Sequence, residues 1–107
     1  MRPGEEFIDQ IYGRNPSSGD DPTGAPSIVV LTNRRVLAHS KRLIRSVTVS
    51  WDAGQINAVG TGKGVAGDRL VFSLPGHDFI LKKISRGTAE PFRRKVEQHL
   101  LRTPDPG

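Results

Sequence analysis

Three histidines, two adjacent-carboxylate pairs and one glycine-rich run are the parts of this 107-residue chain whose types could do chemistry. The run "GTGKGVAG" sets Gly62, Gly64 and Gly67 at the spacing of a dinucleotide-binding fingerprint. That chemistry needs a helix directly after the glycines, whose free N–H groups hold a pyrophosphate, whereas here "DRLVFSL" continues as a strand. Gly64 also follows Lys63 where a Walker-type loop needs Ser or Thr for magnesium. The run is therefore expected to be a hairpin tip. His39, His77 and His99 fall on a strand, a turn and a helix, and none has a partner at the i, i+4 spacing of a metal pair. Glu5-Glu6 lies near the N-terminus and Asp20-Asp21 in a loop, neither a place that tunes a general acid by burial. The serines sit in no nucleophile elbow. The absence of cysteine excludes disulfides, thiolate zinc sites and thiol catalysis. These residues predict no enzyme, no cofactor and no metal site.

Charge is the stronger signal. The net charge is +5, yet through Leu31 two bases, Arg2 and Arg14, stand against five acids. The basic character is thus concentrated downstream. From Thr32 to Trp51 the chain carries Arg34, Arg35, Lys41, Arg42 and Arg45 with no Asp or Glu, a block suited to phosphate, anionic lipid or an acidic peptide. Lys63 and Arg69 flank the glycine hairpin and extend this candidate anion- or partner-binding set. A pI of about 10.2 also raises nucleic acid. Base stacking requires exposed aromatics, and of the six here only Tyr12 falls off the apolar faces, so nucleic acid is the weakest of these readings.

A chain of this length fits one domain, expected over residues 4–102 with a disordered tail at 103–107. "EEFIDQIYG" alternates as a first strand without showing which side faces in. "RNPSSGDDPTGAP" crowds turn-forming residues and predicts a mobile loop over 14–26. "SIVVLT" and "RVLAHS" then read as two strands joined by "NR", a two-residue connection that sets Leu31 opposite Val36 and Val30 opposite Leu37. Thr32, Asn33 and Arg34 are first of all the chemistry of that tight turn. "SVTVSW" puts Val47, Val49 and Trp51 on one face, as a half-buried strand does. "INAV", "RLVFSL" and "FILKKI" follow as strands. The last of these breaks the period of two, which predicts a bulge or burial on both faces near its start. The spacing of Ala89, Phe92, Val96 and Leu100 predicts a helix over about 88–102, with Thr88 as N-cap and Pro91 harmless in the first turn. The fold class is mainly β, about seven antiparallel strands with one C-terminal α-helix. No segment has the ~20 apolar residues needed to cross a bilayer, and Met1–Gln10 lacks the apolar centre of a signal peptide, so the expected address is cytoplasmic.

In this order the parts "GEEFID", "SIVVLTNRRVLAHS", "VTVSWDAGQINAVGTGKG", "DRLVFSLPG", "FILKKIS" and "EPFRRKVEQHLL" resemble the bacterial pleckstrin-homology-like (PH-like) domains. The resemblance is to the short type, in which "LT", two polar residues and "R" open the second hairpin. It implies a partly open barrel of two near-orthogonal antiparallel sheets capped by the helix, and binding or assembly in place of catalysis. PH domains that bind phosphoinositides gather bases around the first loop. Here that region holds only Arg14 against Asp20-Asp21, which argues against that ligand. The expected function is protein–protein association, self-association through a sheet edge included. The alternatives are peripheral binding of an anionic membrane at the inner face, or of a phosphorylated ligand, through the 34–45 block, and then weak nucleic-acid binding.

Overall fold

The computed structural model describes residues 3–15, 25–41, 46–65 and 67–101. Its elements in chain order are β1 (Phe7–Asn15), β2 (Ala25–Thr32), β3 (Arg35–Lys41), β4 (Ser46–Asp52), β5 (Ala58–Gly64), β6 (Gly67–Leu74), β7 (His77–Ile84) and α1 (Ala89–His99). A 3-10 turn at Ala53–Gln55 joins β4 to β5. Every ladder is antiparallel, and the strands form one sheet in the order β4-β3-β2-β1-β7-β6-β5. The architecture is the mainly β, PH-like one that the sequence led us to expect. Two runs, β1–β4 and β5–β7, meet at a single register pair, Arg14↔Lys82, and β4 and β5 form the two edges.

The β2–β3 hairpin has the predicted register, Leu31↔Val36 and Val30↔Leu37. Leu31 and Val36 are both fully buried, so the cross-strand pair that closes the turn is also core. The ladder of β1 with β2 runs out to Asn15↔Ala25, within the stretch expected as the 14–26 loop. What is left of that loop, 16–24, lies outside the described residues, as does the tail at 103–107. A bulge between Phe7 and Asp9 settles which side of β1 faces in. It shifts the alternation by one residue, so that Ile8 packs against the core and Ile11 lies within it, while Phe7 and Tyr12 stay exposed.

The sequence reading placed a bulge, or burial on both faces, near the start of β7; the bulge lies near its end, and near the start Phe79 and Leu81 are buried with Ile80 half-buried between them. Asp68↔Ile84 and Leu70↔Leu81 leave Lys82 and Lys83 together opposite Arg69, and Lys83 takes φ 56°. An unbroken alternation from Phe79 and Leu81 would point Lys83 inward. The extra residue turns it out and gives the core position to Ile84, which is 1% exposed. The seam beside it needs Gly13, because a Cβ there would lie 2.6 Å from the Lys82 carbonyl oxygen and 2.7 Å from Leu81 Cγ.

Helix α1 packs on β1, β5 and β6 and buries Ala89, Phe92 and Val96. Thr88 is its N-cap, but the hydroxyl turns back to donate to the Ser85 carbonyl at 2.6 Å and does not cap the helix. Glu90 ties the first turn to the sheet, accepting from the Thr61 hydroxyl at 2.7 Å and pairing with Arg93. Those two bonds, that to Arg93 first, pull the Glu90 carboxyl down from 4.5 to about 2. A folded-state pKa below the unfolded one gives stability present above pH 4.5 and lost as pH falls toward about 2. A thermal titration across that window is therefore expected to show a decline that Glu90→Gln flattens. A decline of unchanged slope in the variant would assign it to other carboxylates.

Candidate binding surfaces

The two arginines of the β2–β3 turn do different work. Arg35 forks onto Glu5, with Nε donating to Oε2 at 2.9 Å and Nη2 to Oε1 at 3.1 Å. The Thr32 hydroxyl donates to the same Oε2 at 2.7 Å and accepts the Arg34 and Arg35 backbone N–H groups, each at 3.1 Å. The Glu5 side chain is 0% exposed and that of Arg35 is 16% exposed, and the Glu5 hydrogen bond is the first cause of an Arg35 pKa above its ordinary value. Asn33 completes the clamp: its Oδ1 accepts from the Glu6 N–H at 2.8 Å, and its Nδ2 donates to the Gly4 carbonyl at 3.2 Å. "LTNRR" is thus the lock that holds "GEE" across the turn. Arg34 alone of the pair is exposed.

The basic block is continuous in sequence and divided in space. Arg34 stands just before β3 and Lys41 at its far end, about 23 Å apart along the strand at ~3.3 Å per residue. Arg42 and Arg45 lie outside the described residues. Lys63 and Arg69 are brought together on the paired strands β5 and β6, both exposed, through Lys63↔Asp68 and Gly62↔Arg69. The sequence reading missed Lys82 and Lys83. With Arg69, Gly64, Val65 and Gly67 they line a hollow of about 260 Å³ beside the β5–β6 tip. The signal was the broken period of "FILKKI", which implied that one lysine must be moved off the core face.

A larger groove, of about 800 Å³, opens between β4 and the start of β7, lined by Val47, Val49, Trp51, Phe79 and Ile80 among others. Its base is aromatic: the Trp51 and Phe79 ring centroids are 5.0 Å apart, and Trp51 and Phe72 5.8 Å. Val47, Val49 and Trp51 share the predicted face, but only Trp51 is buried. Val47 is half-buried and Val49 is 39% exposed. No strand pairs with the outer edge of β4 among the described residues. His77 lines the groove and His39 shares a 2.6 Å hydrogen bond with the Thr48 hydroxyl. The described residues hold no cluster of His, Asp and Glu that could bind a metal. They also hold no helix long and apolar enough to cross a membrane.

Comparison with known proteins agrees with this geometry. The crystal structure of the C-terminal domain of an unknown protein from Leishmania infantum superposes with a TM-score of 0.71 at 12% identity, covering 94% of this chain and 88% of that one. At that identity the likeness shows the fold alone. No curated protein sequence matches the chain. The family model described as "Bacterial PH domain" matches residues 1–98, from before β1 to the last turn of α1. The chain belongs to the bacterial PH domain family.

Proposed function

We propose that the domain is a non-catalytic binding module that takes an extended segment of a partner protein along the outer edge of β4. The observation that carries this reading is the uncovered apolar face of that edge strand, Val47 and Val49 beside Trp51, above an open groove. An edge strand offers unpaired backbone groups for main-chain hydrogen bonds, and a groove alongside it takes alternate side chains of the added strand. Charge selects the occupant. Lys41, Arg42 and Arg45 immediately precede β4 in sequence, and the whole chain carries +5, which favours an acidic partner over a second copy.

Selection of displayed peptides against the intact domain is the test. Alternating apolar peptides with acidic flanks are expected to be enriched, and to shift the backbone amides of Ser46–Asp52. Val49→Lys places a charge in the groove and is expected to weaken such a peptide at least tenfold. Peptides that leave the β4 amides unmoved, or that bind Val49→Lys equally well, would overturn the reading. A concentration-dependent dimer in light scattering, lost in Val49→Lys, would replace the foreign segment by a second copy.

A further inference from the structure

We propose that the hollow formed by the β5–β6 tip and the β7 bulge is a binding site for a phosphate monoester. It goes beyond the β4 reading and shares no lining residue with that groove. Three cations, Arg69, Lys82 and Lys83, border a space of about 260 Å³ whose opposite wall is the backbone of Gly64 and Gly67. Lys63 sits on the same hairpin, exposed. Within the described residues none of these four bases makes an ion pair. Asp68, the register partner of Lys63, turns its carboxylate to the Gly87 N–H at 2.9 Å. Among the described residues, then, no carboxylate occupies these cations in an ion pair.

The backbone supplies a second, independent observation. Lys83 is the one described residue other than glycine with positive φ, at 56°. A left-handed, non-glycine residue is strained and persists where its surroundings hold it. Here the bulge puts two consecutive lysines at one hollow, where a regular strand would send them to opposite faces. The surroundings also hold the hairpin in place. Arg86 Nη2 donates to the Val65 carbonyl at 3.0 Å and to that of Gly64 at 3.3 Å, and Gly67 fits so closely that a Cβ would lie 2.5 Å from the Ile84 carbonyl oxygen. The cations are thus mounted on a fixed rim. A dianionic monoester meets three or four charges at once, which a single negative charge would use less fully.

The phosphate could come from a soluble metabolite or from the headgroup of a lipid such as phosphatidic acid, and two arms separate these sources. In the first, glycerol 3-phosphate is titrated into the intact protein while backbone amides are followed by NMR, with glycerol as control. In the second, the protein is pelleted with phosphatidylcholine vesicles with and without phosphatidic acid. Shifts confined to Gly64–Gly67 and Lys82–Lys83 support a soluble ligand, and phosphatidic-acid-dependent pelleting without those shifts in the first arm supports a bilayer source. The double variant Lys82→Gln/Lys83→Gly removes both charges while glycine keeps the positive φ, and is expected to weaken whichever binding occurs by about 30-fold. Arg34→Gln, far from the hollow, is expected to change it less than twofold. Binding in neither arm, shifts elsewhere in the unsubstituted protein, or equal losses in the two variants would overturn the proposal. For a soluble ligand the amide map of the unsubstituted chain decides even if the double variant fails to fold; for a bilayer source Arg69→Gln, at an exposed strand position, takes the double variant's place, and pelleting unchanged in it would overturn the proposal.

Discussion

Glu5→Ala is expected to lower the unfolding free energy by about 3 kcal/mol, the loss that follows when one partner of a buried ion pair is removed. For a domain of this size that is a fall of roughly 12–20 °C in the thermal midpoint. The carboxylate is fully buried and among its partners are Arg35, which donates two hydrogen bonds to it, and the Thr32 hydroxyl, which donates one. Its removal leaves a guanidinium facing a void and a Thr32 hydroxyl with only the longer bond to the Arg35 carbonyl, at 3.2 Å. It also frees the N-terminal segment from the hairpin that Asn33 otherwise helps to hold. The pair as such is not the source of the stability, because burying two charges removes most of what their attraction supplies. Glu5→Leu with Arg35→Met is therefore expected to recover much of the loss, whereas either single change does not. Arg34→Ala, one residue away, should leave the midpoint close to that of the parent. Chemical denaturation of the parent and these five variants checks all of this at once. A Glu5→Ala loss below about 1 kcal/mol, the range of surface pairs, would mean that the carboxylate is not held as the geometry indicates.

That contrast also explains how much could be read from the sequence. Leu31 opposite Val36 was legible because a two-residue turn determines its own register and both residues are apolar. The stripe of Ala89, Phe92 and Val96 was legible because helical spacing is local. Glu5 was not, since an acid in a polar N-terminal stretch looks solvated until the strands bring it to Arg35, thirty positions along the chain. The same holds for the basic block. Residues 34 to 45 form one run on paper, but the extended strand β3 carries Arg34 and Lys41 apart, while Arg69, Lys82 and Lys83 meet across β6 and β7. Non-local pairing, which decides both cases, leaves no periodic mark. The groove falls between these extremes. The face of Val47, Val49 and Trp51 was visible, but whether anything covers it depends on where β7 and the β6–β7 turn lie.

Phe92→Ala is expected to cost about 3–5 kcal/mol, as truncation of a buried phenylalanine does when its surroundings cannot collapse. Two forces could hold α1 in place, and their magnitudes decide between them. Lys95 pairs with Asp9 of β1 at 2.9 Å, but the two side chains are 45% and 32% exposed, and such surface pairs contribute tenths of a kcal/mol. Phe92 is 1% exposed and Val96 0%, both within the core shared with Leu70, Phe72 and Leu81. An isolated helix of 11 residues is marginal in water, so α1 exists because the sheet receives its apolar face. Removing Phe92 therefore weakens the helix and uncovers the inner face of β5 and β6 together. Because the core is continuous across them, unfolding of the variant should remain a single cooperative transition, shifted to lower denaturant with nearly unchanged slope. Lys95→Ala is expected to move it by a fraction as much. Equal shifts for the two variants would reverse the ranking and make the ion pair the anchor. A biphasic transition in Phe92→Ala would show that the sheet stands without its helix, in which case the helix caps the barrel and does not help to build it.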